Sequence, residues 1–392
     1  MKKNKERRNN MIQNVYQNKL KGNSIGIVFG SFAPLHQGHL ELIMRAKKEN
    51  DGGCIVISCG YHGDKGEPLM PHAKRYRYVR EFFADDPLVA VYNINDDDTG
   101  VGQDNWDGWL AEFEKIWNTA INPCIRVVNG NGISVTPINR VWYVGEPEYH
   151  KELFVRGENV ILVDRTENLI SGTMIRNNPV KYWDKITFPF KRLFSHNILI
   201  CGTASEGKTT LVQDLGKFFN APYSYEYARK YMKESCVSDP ELDGADYMAF
   251  LEGQYNLNKS LINSPGSNGI FFADTDSMVT RMYAEYYAKD DTCALTEEEF
   301  KEVANMADAI TRKCHWDKVF FVLPKGEYVD DHERYMRHSD MRVRQELAAI
   351  LVKNLTNAGL IDKVTFLSGS FYENFIIVKD YVEKECIKKW EE

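Results

Sequence analysis

The sequence predicts an α/β protein built from two doubly wound parallel-sheet domains. Three observations predict it. Gly202-Thr203-Ala204-Ser205-Glu206-Gly207-Lys208-Thr209 matches G-x-x-x-x-G-K-[ST] near the middle of the chain. Strand-like and helix-like segments alternate on both sides of that loop. The length, 392 residues, favours two domains, each able to bury a core.

Composition narrows the class. Hydrophobic content of 43% and charged content of 27% are ordinary for a soluble globular chain. A net charge of -7 argues against a surface made to coat nucleic acid. The eight cysteines form no C-x-x-C. Cys54, Cys59 and Cys201 fall in predicted strands, and the set reads as reduced core residues of a cytosolic protein. No apolar run approaches the about 18 residues of a membrane span. No signal peptide is visible, so neither a membrane partner nor export is expected.

In chain order, residues 1–22 are basic and Asn-rich and read as a solvated arm, too short for a helix-turn-helix domain. Residues 23–182 are expected to form the first domain. Its predicted strands are Ile25–Phe29, Cys54–Cys59, Leu88–Ile94, Val141–Val144 and Val160–Val163. Helices are predicted over Gly38–Lys48, Lys74–Phe83, Asp107–Trp117 and Gly172–Asn177. Residues 183–196 read as a short linker, too aromatic to be floppy. Residues 197–392 form the second domain, with strands Asn197–Cys201, Tyr223–Tyr225, Ile270–Ala273, Val319–Leu323 and Val364–Leu367. Its helices cover Lys208–Phe219, Tyr247–Ile262, Met278–Ala288, Glu297–Cys314 and Met341–Leu355. Thr296 with Glu299 and Ser370 with Glu373 have capping-box spacing. Ligands of such sheets bind at the C-terminal strand ends.

The central loop has the context its chemistry needs, a buried strand before it and a helix after it. Gly202, Ser205, Gly207 and Thr210 belong to a backbone cradle for phosphate. Lys208 would neutralise β/γ-phosphate charge, and Thr209 would hold Mg²⁺. In the first domain, Ile25–Phe29 runs into Gly30-Ser31-Phe32-Ala33-Pro34-Leu35-His36-Gln37-Gly38-His39. Gly38 permits close approach at a helix start, and His36 and His39 supply donors to a phosphate in transfer. Asp164-Arg165 is followed by Ile170-Ser171-Gly172-Thr173-Met174-Ile175-Arg176. Ser171 and Thr173 add hydroxyl donors there, and Arg176 would project towards the same anion.

This pair of first-half motifs resembles nucleotidyltransferases with H-x-G-H and I-S-S-T-x-x-R signatures. The rest of the order is the P-loop, Glu226-Tyr227-Ala228-Arg229-Lys230-Tyr231, Asp274-Thr275-Asp276 and Tyr328-Val329-Asp330-Asp331. With it, the chain resembles the NadR-type bifunctional family over about residues 24–390. The resemblance implies a nicotinamide-mononucleotide adenylyltransferase joined to a ribosylnicotinamide kinase. It implies ATP as a substrate of both, Mg²⁺, and nicotinamide riboside, nicotinamide mononucleotide and NAD as ligands. The family commonly has Lys or Arg where this chain has Ser31, and Trp where it has Tyr328. Some members carry an N-terminal DNA-binding domain; with only the basic arm here, specific DNA binding is not expected. Homo-oligomerisation is left open.

Within that reading, Trp106 or Trp109 stacks on the nicotinamide ring, a flat cation suited to an indole face. In the kinase half, Glu226 and Asp276 rank equally as the base for a ribose hydroxyl. Asp274 is expected at metal or ribose. Arg229, Tyr328, Asp330 and Asp331 are expected at substrate, and Arg334, Arg337, Arg342 and Arg344 in a lid. Two other readings remain: a different nucleotidyltransferase fused to a nucleoside kinase, and an NAD- and ATP-sensing regulator with reduced catalysis.

Overall fold

Ile25, Ile27 and Val28 have no exposed surface, and their strand is the middle of the first sheet. The computed structural model describes residues 19–67, 69–97, 105–122, 124–128, 132–164, 170–325 and 339–387. Most of the basic arm, Arg165, Tyr328, Asp330, Asp331, Arg334 and Arg337 lie outside these. The chain divides into two units between Leu193 and Phe194.

In the first unit, β1 (Ser24–Gly30), β2 (Cys54–Gly60), β3 (Val89–Asn95), β6 (Asn139–Val144) and β7 (Val160–Leu162) form one sheet in the order β3-β2-β1-β6-β7. Every pairing is parallel. The strand order reverses at β1, so the ligand crevice of such a fold opens beyond Gly30. Helices α1 (Gln37–Glu49), α2 (His72–Phe82) and α3 (Trp106–Ala120) follow the first three strands. β2 is buried along its whole length, as expected of a strand covered on both faces.

The second unit repeats the plan. β8 (His196–Gly202), β9 (Tyr223–Ser224), β10 (Ile270–Ala273), β11 (Lys318–Val322) and β12 (Val364–Leu367) lie in the order β12-β11-β8-β10-β9, again all parallel. Ile198 and Ile200 face one apolar cluster and Leu199 and Cys201 the other, which is the two-residue alternation of a doubly covered strand. The order reverses at β8, which ends in the phosphate-loop sequence.

Four features add to the elements expected from the sequence. An antiparallel hairpin pairs β4 (Cys124–Val128) with β5 (Gly132–Thr136). Its sequence signal was Asn129-Gly130 between β-branched runs. Helix α4 (Pro147–Val155) follows β6, with Pro147 in its first turn. In the second unit, the nine-residue helix Tyr227–Ser235 has no fully buried residue, and Ala228, Tyr231 and Met232 pack on the core only partly buried. The segment read as a linker is folded. Trp183, Ile186, Phe190 and Phe194 are buried, and Phe190 packs edge-on against Tyr78 at 5.4 Å. Arg192 donates to Glu81 at 2.7 Å while lying over the Tyr78 ring. Aromatic side chains thus fasten residues 183–192 to α2.

Candidate active sites

The first site is assembled where β1 ends. His36 is the N-cap of α1, 4% exposed, and its ring stacks on that of His39 at 3.8 Å between centroids. Phe32 takes φ +44, the left-handed region, and its ring is wholly buried, edge-on to His39. Its side chain therefore supports the histidine, which leaves its backbone for any ligand of this turn. A Cβ on Gly38 would lie 3.2 Å from Ile170, so the second motif packs directly on the first.

Gly172 explains that contact. An added Cβ there would lie 2.7 Å from the Ala33 carbonyl oxygen. Ser171 caps the helix Gly172–Asn177 by accepting from the Met174 N–H. Arg176 donates to the Ala33 carbonyl through Nη1 and to Thr173 Oγ1 through Nη2, the latter at 2.9 Å. Burial lowers the Arg176 pKa from its ordinary value, and Asp64 opposes that shift. Gly30, Ser31, Gly38, His36, His39, Ser171, Thr173 and Arg176 are thus brought to one strand end.

The two tryptophans differ. Trp109 stacks on Phe113 and leans on Trp142, so this side chain of α3 is partly buried against the apolar core. Trp106 meets Phe29 at 6.0 Å and Tyr149 at 5.7 Å, and Tyr149 is 42% exposed. Tyr149 went unnoticed in the sequence because helix α4 did. A buried Arg75–Asp64 pair was also missed. Arg75 is wholly buried, and its Nε and Nη1 have no hydrogen-bond partner among the described residues.

The second site follows β8. Gly202, Ser205 and Gly207 all have positive φ, +142, +61 and +74. A Cβ on Gly202 would strike the Val322 carbonyl at 2.5 Å, so that position requires glycine twice over. Lys208 and Thr209 open the helix Lys208–Phe218, and Thr210 is exposed in its first turn. Lys208 Nζ donates to the Thr203 carbonyl at 2.6 Å. Thr209 Oγ1 donates to Asp274 Oδ2, also at 2.6 Å, from the end of β10. Asp274 is 3% exposed, and its Oδ1 has no hydrogen-bond partner among the described residues. Burial raises its pKa, and the charges of Lys208, Glu226 and Arg229 all reach it. Glu226 accepts from Arg229 at 2.9 Å and is half-buried. Gln254 fixes that turn by accepting from the Tyr227 N–H and donating to the Tyr225 carbonyl.

Asp276 is a correction. It was expected as a candidate base, yet it is the N-cap of helix Ser277–Tyr287, accepting from the Met278 and Val279 N–H groups. Its other oxygen accepts from Trp316 Nε1 at 3.1 Å. At 2% exposure with both oxygens engaged, it faces the core and not a substrate. Asp276→Ala should therefore cost about 2–4 kcal/mol of stability, read as a lower melting temperature, by losing a cap and orphaning a buried N–H. Burial pushes its carboxyl up to about 6. A folded pKa above the ordinary 3.8 means its contribution is complete below pH 3.8 and is lost as pH rises through about 6. Asp276→Asn should flatten the stability profile across that window.

Arg344, expected in a lid, is buried against Glu206 of the loop itself. Arg342 is exposed at the start of its helix. Phe371 was also missed: its ring lies where a Cβ on Gly207 would be, 2.3 Å away, and it is 76% exposed. Phe371 and Phe375 flank a groove of about 160 Å³ beside Gly207, Thr210 and Leu211. Among the described residues, no three His, Cys, Asp or Glu side chains cluster to hold a metal, and no helix is long and apolar enough to cross a membrane.

Comparison with known proteins agrees with this division of labour. Residues 27–178 match the cytidylyltransferase-like family model, and residues 197–373 match an AAA domain model. The trifunctional NAD biosynthesis/regulator protein NadR of Escherichia coli (strain K12) is 29% identical over 276 residues, 67% of this chain and 63% of that protein. The Salmonella typhimurium NadR gives the same figures. The aligned part thus covers about 63% of the length of these curated relatives. Crystal structures of NadR protein, in complex with NR and with NAD and AMP-PNP, are 33% and 34% identical, with TM-scores of 0.76 and 0.74. Each match covers 94% of this chain and 97% of the other. The chain belongs to the NadR family.

Proposed function

We propose that the protein makes NAD from nicotinamide riboside in two ATP-dependent steps, one in each unit. The observation that carries this reading is that each unit holds a complete phosphate-handling constellation at the end of its central strand. In the second unit the riboside hydroxyl attacks the γ-phosphorus of ATP, forming nicotinamide mononucleotide and ADP. Lys208 and the loop amides hold the β- and γ-phosphates. Glu226 takes the hydroxyl proton, and Arg229 orients Glu226. The adenine lies in the groove at Phe371. Outside the described residues, Tyr328, Asp330 and Asp331 contribute to the riboside site.

The donor set fits Mg²⁺: Thr209 Oγ1 and a buried carboxylate with one oxygen unengaged are the hard oxygen ligands this ion takes, the remainder being water and phosphate. Bound there, the ion would neutralise phosphate charge. Asp274 and Thr209 are the residues that would hold it.

In the first unit the phosphate of nicotinamide mononucleotide attacks the α-phosphorus of ATP. The new P–O bond makes NAD, and pyrophosphate leaves. The attacking phosphate is already anionic at neutral pH, so this step needs charge stabilisation and positioning, not a base. His36, His39, Arg176, Ser171 and Thr173 supply the donors. Trp106 and Tyr149 form an aromatic corner for the cationic nicotinamide ring, with Trp109 packed behind it.

An acceptor screen tests the assignment. Purified protein with ATP and nicotinamide mononucleotide should yield NAD and pyrophosphate, resolved by chromatography. Adenylylation of pantetheine phosphate or a flavin nucleotide instead, with no NAD, would overturn it.

A further inference from the structure

The phosphate loop carries an acidic residue at its tip. Glu206 stands between Ser205 and Gly207, both in the left-handed region. For Ser205 that conformation is costly and must be held by its surroundings. A carboxylate facing the cradle would repel the phosphates of a nucleotide. Instead the side chain is turned away from solvent, 2% exposed. Its Oε1 accepts from Arg344 Nη1 at 2.8 Å, and Oε2 accepts from the Lys325 N–H at 3.2 Å. Arg344 is 3% exposed and belongs to the helix Met341–Asn357. Lys325 follows β11 and donates through Nζ to the carbonyls of Ser368 and Gly369, just before Phe371. One side chain of the loop therefore joins it directly to two other parts of the unit and, through Lys325, to a third.

We infer that Glu206, neutralised by Arg344, is a positioning residue that holds the loop amides in their phosphate-binding arrangement before the nucleotide arrives. The physical ground is that a buried ion pair contributes little net stability but fixes geometry, and removing one partner leaves an uncompensated charge. The inference rests on the loop being a nucleotide site, as proposed above. It does not depend on which acceptor receives the phosphate.

The test uses the full chain with Glu206→Gln, Arg344→Met and the double variant Glu206→Met/Arg344→Met. A non-hydrolysable ATP analogue with Mg²⁺ is titrated by calorimetry, the loop's isotherm being the one that Lys208→Ala removes. Riboside phosphorylation and adenylyl transfer are assayed beside it. Each single variant should weaken analogue binding at the loop about tenfold and raise KM for MgATP in phosphorylation similarly, with kcat changed less than threefold. Adenylyl transfer should be unchanged. The double variant separates positioning from folding: an apolar pair should restore the melting temperature, yet the binding defect should persist. A folded double variant that binds the analogue as tightly as the wild type would overturn the inference. A wild type that binds the analogue at the loop but phosphorylates no riboside would remove the kinase assignment, and the loop affinities would still decide the role of Glu206.

Discussion

Lys208→Ala is expected to abolish phosphorylation of nicotinamide riboside and to leave adenylylation of nicotinamide mononucleotide nearly unchanged. The ammonium sits inside the loop, 2.6 Å from the Thr203 carbonyl, where the β- and γ-phosphates would lie. On the proposed function it is the main cation offered to the phosphoryl group in transfer. Removing one preorganised charge-stabilising group typically costs about 10²–10³-fold in rate. On the proposed function the first unit has its own donors in His36, His39 and Arg176 and needs none from the loop. The two half-reactions, measured separately on the folded variant, check this. Loss of both would mean that one phosphate centre serves both steps.

His36→Ala should do the reverse. Its ring is almost wholly buried, stacked on His39 at the start of α1. Truncation removes a donor and also unseats its neighbour. Adenylyl transfer should fall by about 10²-fold or more, while the loop continues to phosphorylate riboside. Nicotinamide mononucleotide should then accumulate. Mixing the Lys208→Ala and His36→Ala proteins should restore conversion of riboside to NAD, because the intermediate is a free small molecule. Failure of the mixture, with each half-reaction intact in its proper variant, would show that the intermediate passes only within one chain.

Much of this was legible because the chemistry lies on short continuous motifs next to strong strand signals. Ile25 to Gly30 and Asn197 to Gly202 are apolar runs that end in glycine, and the loops after them have few ways to fold. Each central parallel strand was legible from its near-continuous apolar run. The misreadings came from features with no such local signature. Asp276 looks like Asp274 in sequence, two residues away on the same loop. Only the fold shows that Asp274 turns to Thr209 while Asp276 turns inward to Trp316. Arg344 looks like any arginine of a polar helix until its burial against Glu206 is seen. The segment 183–196 reads as a linker because its aromatic residues follow no helical or strand period. Their partners, Tyr78 and Glu81, lie about a hundred residues earlier. Tyr149 and Phe371 act, on this account, through exposed rings at strand ends. Composition alone does not distinguish such rings from ordinary surface aromatics.

The most direct test of two independent sites joined in one NAD-forming enzyme is a time course of wild-type protein with nicotinamide riboside and MgATP, resolved by chromatography. The account predicts that nicotinamide mononucleotide appears first, with ADP, and is then consumed as NAD and pyrophosphate rise. Riboside left untouched, or mononucleotide that builds up without NAD, would contradict it.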